Sequence, residues 1–510
     1  MGSSEIKNTL FHLNYQWKLH SLSVWKGEPP PFKLYDLYDA YADFIDLKTL
    51  ARVDQMTEAK EKLRLRHALI DHYLQRSLLP HETEMRVWMK GASAHVHGHK
   101  IYFRDIIPWC QKQSTHQDRL ILQKETGPLC KFLAPFALNY WNILLEILAN
   151  DLGFESYVDY CSEKKGIDYA KHYAFLKDFL PLTDPIYFPA MERWCSEEFG
   201  YPLREMTRFD AVYMLGLNHM DRFFPERPLT AFTPFFNRWG IDLNNTPGLH
   251  LDLGTGEEKS AQAISFILQT PGEVHVLMKP EGGWIDLETL WHELGHGLSA
   301  VFTSPDISMV HRDLATSFSL SEAFAFLVQN ITLSVPFLTT WMELGQGLAE
   351  EFHRLKVLKD LSLFRRYAAK FIAEYEMFQE GALSDGRRYA EVMSRYTGFY
   401  YQPESHLFDL VPEFYSLDYV LGWLGESILE DCLSDRLGPH WMFQEEAGQI
   451  LRQWWRQGNE RDLPEFLEWN GLEPLHTGRI IARWQEALGR NGPPRLDTLT
   501  PMTGAVMQGR

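Results

Sequence analysis

Apolar residues recur at three- and four-residue spacing along most of the chain, which is the period of a helix with one buried face. Two long stretches, 54–79 and 355–379, keep this spacing without internal glycine or proline. Strict alternation, the period of a strand, is rare; it is clearest over 272–280, which a glycine turn follows. A second alternating stretch, 94–103, predicts a hairpin. The pattern therefore predicts a mainly α protein with one small β-sheet.

A chain of 510 residues is long enough for two lobes. We predict a helical N-terminal lobe over 1–205 and a second lobe over 206–510 that carries the candidate chemistry, with the two interleaved. The most apolar segment, 132–149, is interrupted by polar residues and a proline. This interruption predicts a buried helix there and not a membrane span.

The formal net charge of −18 disfavours a nucleic-acid partner, because phosphate binding needs a basic surface, and it disfavours anionic membranes for the same reason. The five cysteines are odd in number and never spaced as C-x-x-C, which predicts reduced thiols. The N-terminal residues lack the basic start and apolar run of a signal peptide. These observations together predict a cytoplasmic protein and leave its oligomeric state open.

Residues 287–300 read LETLWHELGHGLSA and contain H-E-x-x-H, a pattern in which two helical histidines hold zinc and the glutamate acts as a base. His292 and His296 project from one side of the predicted helix, one turn apart. An apolar stripe lies nearly opposite them and predicts the buried face of the helix. The stripe consists of Leu287, Trp291, Leu294, Leu298 and Val301.

The sequence also predicts structural roles for three further residues in this helix. Asp286 is predicted to cap the helix N-terminus. Gly295 and Gly297 lower the helix propensity, so we expect another part of the chain to approach that backbone closely.

A catalytic zinc ion takes three protein ligands and keeps one position open. Downstream of the motif the nearest carboxylates are Asp306, Asp313 and Glu322. Glu322 belongs to an otherwise apolar helical stripe, where burial is costly unless a partner such as a metal cation is present. The alternative is that Glu322 pairs with a buried arginine or caps a chain end. The predicted ligands of one Zn²⁺ ion are His292, His296 and Glu322.

Glu293 follows the first histidine and is not a predicted ligand. Its carboxylate suits a general base that takes a proton from an attacking water and passes it to the leaving amine. Lewis acidity from zinc completes this chemistry, which is that of peptide-bond hydrolysis.

Over 259–322 the chain resembles the thimet oligopeptidase and oligoendopeptidase F group of zinc peptidases, in the order KSAQAISF, GEVHVLMKPEGG, TLWHELGHGLSA and SLSEAF. The resemblance implies a bilobed helical fold with a deep channel, one zinc ion and short peptides as substrates. It also implies that the strand before the zinc helix offers its edge to an extended peptide; the alternative is a strand paired only within its own sheet. The substrate-binding residues so predicted are Glu273, Val274, His275, Val276 and Leu277.

The same resemblance implies that aromatic and histidine side chains of a late helix stabilise the oxyanion. The matching region begins at His406, and within it Tyr415 and Tyr419 are four residues apart on one helix face. The chain departs from the family pattern at Gly422 or Leu421, where a further tyrosine often occurs, and at Glu413, which stands in place of a histidine, so His406 is a third candidate donor. Core packing is the alternative for each tyrosine.

A zinc carboxypeptidase of the Taq type is the alternative among hydrolases, although its third-ligand context differs from SLSEAF. A catalytically inactive peptide-binding relative is the alternative outside them. Residues 250–258, HLDLGTGEE, imitate the glycine loop that binds S-adenosylmethionine, but the chain lacks the required alternation of strands and helices. His95, His97 and His99 would form a second metal site if they shared a strand face, whereas Gly98 favours an exposed hairpin.

Overall fold

The computed structural model describes residues 2–112, 114–223 and 229–489. It is 70% helix and 5% strand, which confirms the prediction of a mainly α protein with a small sheet. The α-helices of the described residues are α1 (Ser3–Lys26), α2 (Leu34–Ala40), α3 (Leu47–Asp54), α4 (Ala59–Gly91), α5 (Ile106–Lys112), α6 (His116–Asn150), α7 (Tyr157–Lys165), α8 (Tyr169–Phe199), α9 (Arg208–Leu215), α10 (Trp284–Val301), α11 (Met309–Asp313), α12 (Ser319–Ile331), α13 (Val335–Thr340), α14 (Gln346–Glu380), α15 (Arg387–Thr397), α16 (Tyr415–Leu437), α17 (Glu445–Trp455), α18 (Leu463–Trp469) and α19 (Gly478–Leu488). The strands are β1 (Ser93–Val96), β2 (His99–Tyr102), β3 (Leu249–Asp252), β4 (Ile264–Gln269) and β5 (Glu273–Leu277).

The two long helices predicted from periodicity are α4 and α14. Helix α4 begins where the Glu58 carboxylate accepts the backbone N–H groups of Lys60 and Glu61, an N-cap that satisfies two otherwise unpaired donors. Helix α14 ends at Gly381, whose φ of 64° lies in the left-handed region that glycine adopts without strain. Both helices are confirmed, and their caps explain where they begin and end.

The three-stranded sheet has the order β3-β5-β4, with β5 parallel to β3 and antiparallel to β4. Val274 and Val276 of β5 are fully buried beneath α10, where a Cβ on Gly297 would lie 2.8 Å from Val276. On the opposite face, Phe266 of β4 packs with Leu22 of α1. The sheet is therefore covered by α10 on one face and α1 on the other.

The central position of β5 corrects one prediction. Its residues pair with β3 on one side and with β4 on the other, so this strand has no free edge for a peptide. Alternation specifies the two faces of a strand but not its neighbours, which is why the strand order escaped the sequence analysis. The two outer strands of this sheet are β3 and β4, and β4 is the one whose Ser265 contacts Glu293 of α10. The residues wrongly predicted to bind substrate through the strand edge are Glu273, Val274, His275, Val276 and Leu277.

Helix α10 begins three residues before its predicted start. Its N-cap is Gly283, at a φ of 96°, and Asp221 from a neighbouring segment accepts the N–H of Trp284 at 2.9 Å. Asp286 lies in the first turn and accepts two backbone N–H groups of the preceding turn. The prediction that Asp286 is the N-cap is wrong, because the glycine turn allows the helix to begin earlier.

The two glycines beside the histidines allow direct contacts with α10. A Cβ on Gly295 would lie 2.5 Å from the Cα of Ala325 in α12, and one on Gly297 would meet Val276 of the sheet. The expected close approach is confirmed at both positions. Four members of the predicted stripe are buried and the fifth, Val301, is partly buried; the buried ones are Leu287, Trp291, Leu294 and Leu298.

One hydrophobic cluster contains residues of both predicted lobes. Within it, Phe179 of α8 and Phe364 of α14 have ring centroids 5.9 Å apart. The boundary at residue 205 stays a prediction, and residues 490–510 of the second lobe lie outside the described residues.

The apolar segment 132–149 forms the second half of α6. By length and composition, α6 is the one helix of the described residues that could cross a membrane, which by itself is weak evidence for a span. Only 28% of its most apolar window is buried, and Phe132 is exposed. The prediction of a buried helix therefore holds for one face, which includes Leu133 and Trp141, and is wrong for the other.

Strands β1 and β2 form the predicted hairpin, with His97 and Gly98 at its turn, both at positive φ. His95, His97 and His99 are all exposed, so this prediction is confirmed. The glycine loop 250–258 leads from β3 towards β4 without an intervening helix, which excludes the S-adenosylmethionine alternative.

Candidate metal centre

Two neighbouring helices bring the predicted ligands together. Helix α10 carries His292 and His296 one turn apart, and α12 carries Glu322. Nε2 of His292 lies 3.6 Å from Glu322 Oε2, and Nε2 of His296 lies 3.7 Å from Glu322 Oε1. Ligand atoms around one tetrahedral zinc ion, with bonds of roughly 2.0–2.2 Å, are about 3.4 Å apart. The spacing therefore suits a single ion.

The second nitrogen of each imidazole is bound by another side chain. His292 Nδ1 lies 2.8 Å from Gln329 Oε1, and His296 Nδ1 lies 2.8 Å from Ser321 Oγ. An amide oxygen only accepts, so Nδ1 of His292 carries the proton and the lone pair of Nε2 faces Glu322. Hydrogen bonds of this kind fix the tautomer and orientation of metal-binding histidines.

A buried ionic cluster determines which way the Gln329 amide points. Gln329 Nε2 donates to Glu288 Oε1 at 3.2 Å, and the ammonium groups of Lys356 and Lys359 both donate to the Glu288 carboxylate. Burial raises the pKa of Glu288, but the two ammonium groups outweigh it and hold the pKa at about 2. Glu288 therefore stays ionised and keeps the amide N–H of Gln329 turned away from His292.

Glu322 has the character of a carboxylate that lacks a cation. Its side chain is 1% exposed; Oε1 accepts the Tyr415 hydroxyl at 2.6 Å, and Oε2 has no hydrogen-bond partner in the described part of the chain. Burial, with repulsion from Glu293, raises the pKa of Glu322 to about 8, and burial lowers the pKa of His292 to about 4. Two imidazoles and an unsatisfied buried carboxylate fit a divalent ion, which would stabilise the ionised acid.

Glu293 lies beside the three ligands and is tied to the sheet. The Ser265 hydroxyl of β4 lies 2.8 Å from Glu293 Oε2 and 2.9 Å from the Glu293 carbonyl oxygen. Burial raises the pKa of Glu293 to about 7, against the opposing effect of the Ser265 hydrogen bond. A carboxylate with a pKa near neutrality both takes up and releases a proton readily, which suits the role predicted for Glu293.

The two predicted tyrosines reach this centre from α16. The Tyr419 ring centroid lies 5.1 Å from that of Tyr415 and 4.6 Å from that of Tyr367 in α14. Burial raises the pKa of Tyr419, and the negative charges of Glu322 and Glu293 raise it further. The phenol group of Tyr419 therefore stays protonated and is a hydrogen-bond donor near both carboxylates.

Gly422 sets the distance between α16 and α12. A Cβ at this position would lie 2.6 Å from the Cβ of Glu322, so the absence of a side chain lets Tyr415 reach the ligand. Glu413 belongs to a separate ionic cluster, in which its carboxylate accepts a hydrogen bond from the Lys164 ammonium at 2.6 Å.

His406, the third predicted donor, serves a structural role. Its Nδ1 lies 2.7 Å from the Pro403 carbonyl oxygen and its Nε2 lies 2.8 Å from the Leu383 carbonyl oxygen. Backbone acceptors thus occupy both ring nitrogens, and no N–H is left for an oxyanion. The prediction that His406 donates in catalysis is wrong, since sequence spacing cannot reveal that two carbonyl groups converge on its ring.

A cavity of about 470 Å³ borders the centre, between α1 and α4 on one side and β4 and α12 on the other. Ser265 and Ser321 line it, and these are the hydroxyls that bond to Glu293 and His296. The cavity extends along β4 as far as Thr270. An extended chain lying along β4 would therefore pass beside the proposed base.

The sequence analysis missed four side chains of this centre. Ser321 precedes Glu322, and Gln329 follows it by seven residues, two turns along the same helix. Polar residues at those positions of an apolar helix were a usable signal. Ser265 lies within the resembling segment KSAQAISF, but only the structure shows that it faces Glu293. Tyr367 lies on a distant helix with no local signal.

Comparison with protein-family models gives no match for this chain, and comparison with curated protein sequences gives none either.

Proposed function

We propose that this protein is a zinc-dependent metallopeptidase that hydrolyses peptide bonds of short peptides. The observation that supports it most is the convergence of two imidazole Nε2 atoms and one buried carboxylate, with ligand atoms within 4.8 Å of one another. Two nitrogens and one oxygen form a donor set of catalytic zinc sites. Glu293, which stands next to these ligands without belonging to them, supplies the base.

Bound zinc would contribute Lewis acidity, which polarises the peptide carbonyl group and makes water more acidic. Glu293 takes a proton from the attacking water and passes it to the amine that leaves. The Ser265 hydrogen bond keeps this carboxylate in one orientation while it exchanges the proton. Burial lowers the pKa of His292 and of His296, so both imidazoles stay neutral, and the Gln329 amide oxygen holds the tautomer of His292.

Phenol groups stabilise the negative charge that develops on the carbonyl oxygen. Tyr415 already donates to Glu322, so it holds the ligand in place. Tyr419 lies next to it on the same face of α16 and remains protonated. We therefore propose that the Tyr419 hydroxyl stabilises the oxyanion and that Tyr415 positions Glu322.

The peptide lies along the unpaired edge of β4 and adds a strand to the sheet. The cavity beside β4 supports this placement, because it is lined by Ser265 and Ser321, which contact Glu293 and His296. The fold we propose is accordingly a bilobed helical zinc peptidase, whose channel lies between α1 and α4 and the sheet. Such a channel admits extended chains and excludes folded proteins.

The test pairs zinc content with cleavage of a quenched fluorogenic peptide, for the wild type and the Glu293→Gln variant. We expect retained zinc and a loss of activity by several orders of magnitude, because the base is gone. The control is Glu257→Gln, in the exposed loop before β4, which should keep full activity. Unchanged turnover in Glu293→Gln would refute the role of Glu293.

Two further measurements on the same protein distinguish the proposed function from its two alternatives. Release of single C-terminal residues, seen by end-group analysis of digested peptides, would favour a carboxypeptidase of the Taq type. Zinc near zero with peptide affinity intact would favour an inactive peptide-binding relative.

A further inference from the structure

The lining of the cavity beside the centre is basic, although the chain as a whole has a net charge of −18. Its charged residues are four cations and two anions. They are Lys18, Arg64, Lys164 and Arg312, with Asp71 and Asp313. A basic lining inside an acidic protein concentrates anionic groups of a ligand.

Three of the four cations have partners. Lys164 pairs with Asp71 at 2.6 Å, Arg64 donates to backbone carbonyl groups including that of His311, and Arg312 donates to the Pro305 carbonyl at 2.9 Å. These groups hold the walls of the cavity together. Their polar contacts therefore lie within the protein.

Lys18 is the exception. It lies on α1 and lines the cavity, and within the described ranges no carboxylate comes within 4.0 Å of its ammonium group and no hydrogen bond holds it. The negative charge of Asp313 opposes the effect of burial on the pKa of Lys18, and Asp313 Oδ1 accepts the N–H of Thr270 at 2.7 Å at the end of β4. Burial lowers the pKa of Lys18, because an ammonium group without a close counter-ion is costly to bury.

Other polar atoms at this end of the cavity are also unsatisfied. Arg312 Nε and Asp313 Oδ2 form an ion pair at 3.7 Å, and neither atom has a hydrogen-bond partner within the described residues. Nδ1 of His72, on the wall formed by α4, has none either among the described residues. The Asp313 side chain is 1% exposed. Buried polar groups are normally paired, so the polar groups in the wall at this end of the cavity are incompletely satisfied by hydrogen bonds.

We propose that Lys18 binds a carboxylate of the peptide, at the end of the cavity remote from the centre. This inference rests on the proposed function, because it assumes that the ligand lies along β4. From Ser265, beside the base, to Thr270 is five residues, or about 16 Å at the usual rise of a strand. The bound carboxylate thus lies several residues from the bond that is cleaved and fixes the register of the peptide. Its source is the C-terminus or an acidic side chain.

The test measures peptide binding in the zinc-loaded, full-length Glu293→Gln protein, which does not turn the peptide over. Four fluorescent peptides of one length are compared. Two have no charged side chain and end in either a free carboxylate or an amide. The other two end in an amide and contain either one glutamate or one glutamine. We expect one carboxylate form to bind about tenfold or more tightly than its neutral counterpart. The pair that shows the difference identifies the source.

Substitutions then assign the preference to one side chain. Lys18→Met should reduce it to within about twofold and leave the affinity for the neutral amide unchanged, whereas Lys18→Arg should retain it. The control is Lys26→Met, in the last turn of the same helix and outside the cavity lining. With Glu293 intact, Lys18→Met should raise KM for the carboxylate peptide and leave kcat unchanged.

Equal affinity of the wild-type cavity for all four peptides, or a preference that persists in Lys18→Met, would overturn the inference. Neither result affects the proposed peptidase activity, which cleavage of the neutral amide peptide measures independently. Failure to cleave any peptide would refute the proposed function, and the binding comparison would still decide whether Lys18 holds a carboxylate.

Discussion

The Ser265 hydroxyl lies 2.8 Å from Oε2 of Glu293 and links the edge strand β4 to the side chain that we propose as the base. The same hydroxyl lies 2.9 Å from the Glu293 backbone carbonyl. One small side chain therefore positions the base relative to the strand along which we place the peptide.

Ser265→Ala should lower kcat about tenfold with little change in KM or zinc content, because the base loses its fixed orientation. Steady-state kinetics on a fluorogenic peptide, together with metal analysis, check this. Ser23→Ala is the control, since the Ser23 hydroxyl contacts only the Leu19 carbonyl of its own helix among the contacts described. An equal loss in both variants would count against a role for Ser265.

Gln329→Leu should weaken zinc binding about ten- to a hundredfold, because His292 loses the acceptor that fixes its tautomer. Competition with a chelating dye measures the affinity. The matched control is Gln346→Leu, in the exposed first turn of α14. If Gln329→Leu bound zinc as tightly as the wild type, the hydrogen bond between Gln329 and His292 would have no influence on the site.

Gly422→Ala should destabilise the fold by about 1–3 kcal/mol, the usual cost of overpacking, and should lower zinc occupancy. The added methyl group would meet the Cβ of Glu322 at 2.6 Å and force α16 away from α12. Chemical denaturation and elemental analysis check both effects. Gly347→Ala is the control, because nothing lies within 4 Å of a Cβ there. Full occupancy and stability in Gly422→Ala would show that the two helices are not closely fitted.

Glu374→Gln should stabilise the protein more at pH 8 than at pH 5. Burial raises the pKa of Glu374 to about 7 from its usual 4.5, against the hydrogen bonds from Ser416 and Val411. The folded state therefore holds this proton more tightly than the unfolded chain, and the destabilisation appears as the pH rises from 4.5 through 7. Thermal unfolding at the two pH values measures it. The exposed Glu380, at the end of the same helix, provides the control Glu380→Gln; a Tm difference independent of pH in Glu374→Gln would contradict the prediction.

The helices and the ligand set were predictable because both depend on spacing along the chain. Periodicity predicted α4 and α14, and the four-residue spacing of His292 and His296 placed both imidazoles on one helix face. Glu322 was predictable because burial of an acid in an apolar stripe requires a partner. The structure brings these three side chains together, and zinc itself stays a proposal.

What was missed depends on contacts between distant segments. Strand order is not encoded in alternation; β5, for which the family resemblance implies a free edge, is the central strand, as in the alternative of a strand paired within its own sheet. The environment of His406 depends on the carbonyl groups of Pro403 and Leu383. The N-cap of α10 involves Asp221, more than 60 residues away in the chain. In each case the sequence predicts the local element but not the segment that contacts it.

Helix α12 lies between α10 and α16, and a glycine at each contact, Gly295 and Gly422, brings the three backbones close together. Because neither glycine has a side chain that separates the helices, the packing of the backbones fixes where the backbone of Glu322 lies relative to α10. Metal binding would then require almost no further ordering of the ligands. The conformational entropy of the site is lost during folding, so the affinity for metal would not be reduced by the cost of arranging its ligands.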